Sequence, residues 1–297
     1  GEEKVGHTFI RGAQISQVGN ILGALLGAAL ANVRLNLPVV VGGALIVLLG
    51  ILLIFIMPER GFRPTPQEER QSWRGLAHSF QAGMRVAWNS PMLLLILGVT
   101  LFYGLSSEGF DRLKLPHLQA DFSIPTLGPF PPIAWFGFIV VVGNLLALAG
   151  NELVRRRRLV TNNQRTTIYA LVALHVLGML GLLVFAVSGN FFLAVAAMWC
   201  VGIFRNVKNP LFTAWLTRNS LARIRATLIS LDGQMDALGQ IGGGPPIGYL
   251  GTIVSLRAAL AAVSVILAPV LLLYVAALRR VRADPVMRDE EVAAPIS

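Results

Sequence analysis

Four ionisable residues sit inside otherwise apolar stretches of this 297-residue chain. Arg205 and Lys208 occur in Ile203-Phe204-Arg205-Asn206-Val207-Lys208-Asn209-Pro210, and Asp232 and Asp236 in Leu231-Asp232-Gly233-Gln234-Met235-Asp236. Residues three or four apart share one face of a helix, so each pair points one way. Run antiparallel, the two helices would set Lys208 level with Asp232 and Arg205 level with Asp236. Ionisable groups within a membrane are expensive to bury and face a cavity or one another. Burial disfavours a charged carboxylate and a nearby cation favours it, so an aspartate balanced between the two can exchange a proton. The competing reading is a static set of ion pairs that locks two helices, and it is the preferred one for Asp232, nearer the membrane edge.

Other groups extend this list. Glu108, Asp111 and Arg112 lie at the outer end of an apolar run, as a periplasmic gate and proton entry or as ordinary interfacial charges. Asn144 and Gln240 are mid-span amides, suited to hydrogen-bonding a substrate or to joining helices. His175 reads as a satisfied structural histidine. Asn206, Asn209 and Pro210 would loosen their helix beside a cavity. Gly19, Gly23 and Gly27 recur every four residues, the spacing that permits close helix contact.

The elements that must position these groups are membrane helices. The chain is 55% hydrophobic and 13% charged, with a mean hydropathy of +0.66. Soluble domains carry about 25% charged residues. Eight runs suffice to cross about 30 Å of hydrocarbon as helix: 13–31, 38–57, 92–110, 132–151, 168–187, 191–217, 227–250 and 256–277. The expected fold is an all-α polytopic membrane protein. Open sheet edges are excluded by lipid, and the alternating segments of an outer-membrane barrel are absent. Net charge is +10, but the basic residues fall between apolar runs and form no stripe with aromatics, which argues against nucleic acid. The single cysteine, Cys200, cannot form an internal disulfide, and no Cys/His set has metal-ligand spacing. No cofactor is expected.

Lys and Arg in the loops give direction. With the N-terminal segment cytoplasmic, nineteen fall on the cytoplasmic side and four opposite, which places both termini inside. Residues 58–91 form a central cytoplasmic loop, in which 76–88 could lie as a surface helix. An external loop is expected at 111–131, and Arg155 to Arg158 would anchor the fourth span at lipid phosphates. Residues 281–297 read as a disordered tail.

Arg11-Gly12-Ala13-Gln14-Ile15-Ser16-Gln17-Val18-Gly19-Asn20 and Arg225-Ala226-Thr227-Leu228-Ile229-Ser230-Leu231-Asp232-Gly233-Gln234 match at Arg, Ile, Ser and Gly, with an amide after the glycine. Repeated halves are common in transporters. If each segment opens the fifth helix of a six-helix half, residues 1–57 hold the last two helices of one bundle and 92–280 a complete second one. Four helices would then precede Gly1.

Several segments resemble the major facilitator superfamily, in its tetracycline- and macrolide-type efflux group. They are Gly1 to Gly6 with Arg11 to Gln14, Met57-Pro58-Glu59-Arg60-Gly61-Phe62, Ser106-Ser107-Glu108-Gly109-Phe110-Asp111-Arg112-Leu113, and Arg225 to Gln240. The resemblance implies two bundles that rock about a central cavity, driven by the proton gradient, in a bacterial inner membrane. The family's basic loop between its second and third helices would fall ahead of Gly1. The Gly-Pro signature of many antiporters is missing from the fifth helix, while Gly242-Gly243-Gly244-Pro245-Pro246 occurs in the seventh span here.

The expected function is therefore secondary active efflux of a small molecule, with protons and membrane lipid as the other partners. An enzyme would need a nucleophile, metal cluster or phosphate-cradling loop that the sequence lacks. A non-transporting receptor or assembly factor is the remaining alternative.

Overall fold

Polar caps set where the long helices begin. Ser90 accepts from the Leu93 amide at 3.5 Å, with Pro91 at the first helical position. Asn163 accepts from the Arg165 and Thr166 amides, Asn190 from Leu193 at 3.1 Å, and Ser255 from Ala258 at 3.1 Å. Each satisfies a backbone donor that the first helical turn leaves unpaired. The computed structural model describes residues 2–56, 81, 84–85, 87–125, 134–156, 163–220 and 225–283.

All regular structure among the described residues is helical. The long helices are α1 (Glu2–Val33), α2 (Leu37–Ile56), α3 (Pro91–Ala120), α4 (Ala134–Arg156), α5 (Gln164–Val187), α6 (Phe191–Arg218), α7 (Arg225–Ile253), α8 (Leu256–Ile266) and α9 (Ala268–Ala283). Six stretches are long and apolar enough to cross a membrane: α2, α3, most of α4, α5, α6, and α8 with α9 together. This is an all-helical integral membrane protein. The other two expected crossings are α1, whose described apolar part Val18–Val33 is shorter, and α7, which is long but carries Asp232 and Asp236.

The helices fall into two compact units. One comprises residues 1–72 and 125–148, the other 73–124 and 149–297, so the boundary passes through α4. In the first, α1 and α2 form a hairpin closed by backbone bonds around Arg34 and Asn36. No residue of α2 is buried, and Ile54 is 78% exposed. Such a surface suits lipid. Gly19, Gly23 and Gly27 meet nothing within 4 Å among the described residues, so the close contact expected from their spacing is not made there.

In the second unit the close contact occurs between α3 and α7, which run parallel. Thr100 lies level with Asp232, Gly104 with Asp236 and Gly239, Leu105 with Gly243, and Gly109 with Ile247. A Cβ at Gly104 would collide with the Asp236 carbonyl, and one at Gly243 with the Leu105 carbonyl. Only hydrogen at Cα allows the backbones this near. One end of this unit is closed by an apolar cluster that includes Leu93, Ile96, Leu171, Trp215, Leu228 and Tyr274.

Two expectations about helix ends need correction. The α3 helix does not stop at 110 but continues to Ala120, replacing the first half of the expected loop at 111–131. Pro116 removes one backbone donor without ending the helix, because His117 and Leu118 are wholly buried beyond it and Asp121 closes the turn. The last span is two rods, α8 and α9, divided at Leu267 just before Pro269. The central loop, most of the 76–88 segment, the side chains of Arg155 to Arg158 and the tail from Asp284 lie outside the described residues.

Candidate functional site

The second unit encloses a cavity of about 340 Å³ between α3, α5, α6, α7 and α8. Helical spacing explains its lining. Tyr103, Ser106, Ser107, Phe110 and Asp111 repeat at three- and four-residue steps on α3, as do Val201, Phe204, Arg205 and Lys208 on α6. Asp236 and Gln240 come from α7, His175 from α5 and Leu267 from the break in the last span. Six of the sequence candidates are thus gathered: Glu108, Asp111, Arg205, Lys208, Asp236 and Gln240. Arg112 lines a second, more open groove with Glu108, Gln240, Gly244 and Pro245. Asp232 lies one helical turn below Asp236. Asn144 is half-buried on the α4 part of the first unit.

The pairing expected from the antiparallel arrangement is not the one formed. Arg205 donates from both guanidinium nitrogens to Asp111, at 3.1 and 3.0 Å. Asp111 also accepts from Lys114 at 2.7 Å. Asp236 instead accepts from the Gln240 amide at 2.7 Å, and Asp232 from the Thr100 hydroxyl. The reason is helix order. α6 packs on α5, while the glycine seam draws α7 onto α3. Asp232 therefore meets Thr100 of α3, Asp236 is held within α7 by Gln240, and the α6 cations reach across the cavity to α3. Sequential helices need not be neighbours, and chain order alone misassigned the partners.

Lys208 has a different environment. Its ammonium stands 3.3 Å from the centre of the Tyr103 ring and 5.7 Å from that of Phe212. The Arg205 guanidinium lies 5.6 Å from the Phe110 ring centre, so both cations rest on aromatic faces. Glu108 accepts from Arg112 at 2.6 Å along the same helix.

The histidine reading holds: His175 is 4% exposed and fully engaged. Its Nε2 donates to the Leu267 carbonyl at 3.0 Å, and its Nδ1 lies 2.8 Å from the Tyr103 hydroxyl. A second pin, from the Ser264 hydroxyl to the Met179 carbonyl at 3.0 Å, fastens α8 to α5. Sequence reasoning missed Tyr103, Ser106 and Ser107. Their signal was present as a three- and four-residue repeat with Asp111, hidden because each type alone is unremarkable in an apolar run. It also missed His117, which is wholly buried. His117 Nδ1 meets Asp121 at 2.6 Å and Nε2 the Phe185 carbonyl at 3.1 Å.

Pro210 lies inside α6, which stays helical through it. The Asn206 side chain donates to the Gly202 carbonyl at 2.8 Å. Pro245 and Pro246 lie inside α7. A helical proline cannot donate to the carbonyl four residues earlier, so Ile241 and Gly242 lose their helical donors beside the groove.

No family model matches this chain, and no curated protein matches it. Among solved structures it is similar to a POT family transporter crystallised in complex with 5-aminolevulinic acid. The identity is 11% and the TM-score 0.45, over 83% of this chain and 55% of that one.

Proposed function

We propose that this chain belongs to a secondary active transporter of the major facilitator type, with the cavity between α3, α5, α6, α7 and α8 as its substrate and proton pathway. One observation carries the reading. A helical membrane unit encloses a cavity on which Glu108, Asp111, Arg205, Lys208 and Asp236 converge from three helices. Charges within a membrane are expensive, and a permeation path is the usual reason to keep them. The further parts of the proposal are proton coupling through Asp236, efflux of a small molecule, and a gate at Asp111 and Arg112. Gln240 supports Asp236, and Asp232 serves the same path or locks α7 to α3 through Thr100. Asn144, on the α4 part of the first unit, remains a candidate substrate contact or a link between helices, apart from this cavity.

In this reading residues 92–280 work as a six-helix bundle and 1–57 belong to a second one. The nineteen-to-four split of loop Lys and Arg supports cytoplasmic termini, and a bacterial inner membrane is part of the same proposal. No group of His, Cys, Asp and Glu able to hold a metal occurs among the described residues.

The test is flux in proteoliposomes containing the full-length protein, for a panel of small amphiphiles, with and without an imposed proton gradient. Gradient-dependent flux is expected. Asp236→Asn should abolish it while the purified protein keeps its thermal unfolding profile. Absence of gradient-dependent flux for the whole panel would sink the transport reading. Wild-type flux with an unchanged pH profile in Asp236→Asn would remove that residue from it.

A further inference from the structure

The charged groups around the cavity are not equally engaged. Arg205 is held by both oxygens of Asp111, and Lys114 donates to the same carboxylate. Glu108 is taken by Arg112, and Asp236 accepts from Gln240. Lys208 is the cation that faces the cavity without a contacting counterion among the described residues; of the carboxylates, Asp236 likewise has only the neutral Gln240 amide. Asp232 is engaged by Thr100 and Asp236 by Gln240, and neither forms an ion pair with Lys208 among the described residues. Its one close partner is the face of Tyr103. A ring quadrupole attracts the ammonium but leaves N–H groups unused, since an ammonium carries three donors.

The rest of the lining divides by chemistry. Beside Lys208 stand the polar groups of Tyr103 and Asn209; the rest of the wall combines polar and charged groups of α3, α6 and α7, Asp236 and Gln240 among them, with an apolar part that includes Leu182, Val201 and Val263. A buried charge with unused donors is unfavourable, and a carboxylate supplies the missing acceptor by charge-assisted hydrogen bonds. A cationic guest would instead meet Lys208 and Arg205 on one wall, and of the three carboxylates in the lining Asp111 and Glu108 are already held by Arg205, Lys114 and Arg112.

We propose that Lys208 anchors the carboxylate of a small amphiphilic monoanion whose apolar part lies against Leu182, Val201 and Val263. This assigns a substrate class to the cavity and takes its biological sense from the transport reading, yet binding can be measured without flux.

Three near-isosteres make the test: benzoate, benzamide and benzamidine, which are anionic, neutral and cationic. Each is titrated calorimetrically into the full-length protein in lipid nanodiscs. Benzoate should bind at least about tenfold more tightly than benzamide, as befits a hydrogen bond to a charged group, and benzamidine should bind weakest. Lys208→Met should erase the preference for benzoate, and Lys208→Arg should keep it. Benzamidine binding as tightly as benzoate, no benzoate binding to the unmodified protein, or an undiminished preference in Lys208→Met would each overturn the proposal. Should Lys208→Met fail to fold, the ligand series on the unmodified protein decides alone. A benzoate preference without gradient-dependent flux would refute the transport reading and leave the anion site standing. Flux without that preference would do the reverse.

Discussion

Two glycine stripes in this molecule have similar sequence spacing and opposite fates. On α1, Gly19, Gly23 and Gly27 face open space among the described residues. On α7, Gly239 and Gly243 sit so close to α3 that a Cβ would enter the backbone of Leu101 and Leu105. Spacing four apart makes a smooth helix face, but whether another backbone fills it depends on the partner. In α3 the partner has glycines of its own at 104 and 109, and the two helices run parallel. The same seam brings Asp232 to the Thr100 hydroxyl of α3, so packing chooses that electrostatic partner as well.

That contrast can be broken from its strong side first. Gly243→Val should give the largest effect, because the added atoms meet main chain, which cannot rotate away. Overpacking in a well-packed core costs about 1–3 kcal/mol even where side chains can shift. Gly243→Val should exceed that range, seen as loss of monodisperse protein or a large drop in thermal unfolding temperature in detergent. A stable, well-behaved Gly243→Val variant would show that α3 and α7 are not in backbone contact.

The electrostatic consequence is smaller. Arg205→Met leaves Asp111 with Lys114 as its only cationic partner among the described residues and opens the link between α6 and α3. Removing one member of a fully buried pair costs about 3–5 kcal/mol. Here Arg205 and Asp111 are 40% and 41% exposed, so solvent screening reduces the expected loss to about 1–2 kcal/mol. Chemical denaturation of Arg205→Met, Asp111→Asn and the double variant would read the coupling. Strict additivity of the two single losses would mean that the pair contributes nothing.

The weak side of the contrast should give the smallest effect. Gly23→Ala adds a methyl to open space and raises helix propensity, so stability should stay level or rise by up to about 1 kcal/mol. A loss comparable to that of Gly243→Val would reveal a partner for α1 that covers this face.

Much of the fold was legible in the sequence, and the limit has a physical cause. Long apolar runs are local features, so the spans could be read directly, while caps such as Asn163 and Asn190 lie outside them, and the apolar run starts α5 at 168 where the helix begins at Gln164. The charged residues of the site were legible too, because burial in lipid makes any Asp or Lys conspicuous. Their partners were not. Pairing Arg205 with Asp236 assumed that consecutive helices touch, whereas the contact with Asp111 joins residues 94 positions apart. The continuation of α3 past 110 was hidden by Pro116, a residue that usually argues for a loop and is overruled here by the burial of His117. Tyr103 and the two serines beside it became recognisable only when a cavity gave their shared face a meaning.

The break at Leu267 has a mechanical consequence. A continuous helix tilts as a single rod, whereas α8 and α9 meet at a joint. The hydrogen bond from His175 is attached at that break. By helix geometry α8 is a lever about 16 Å long, so a 10° swing would carry its far end about 3 Å. Its anchor at His175 leads through Tyr103 to the ring beneath Lys208, so the fulcrum of the last span is mounted on the wall of the cavity.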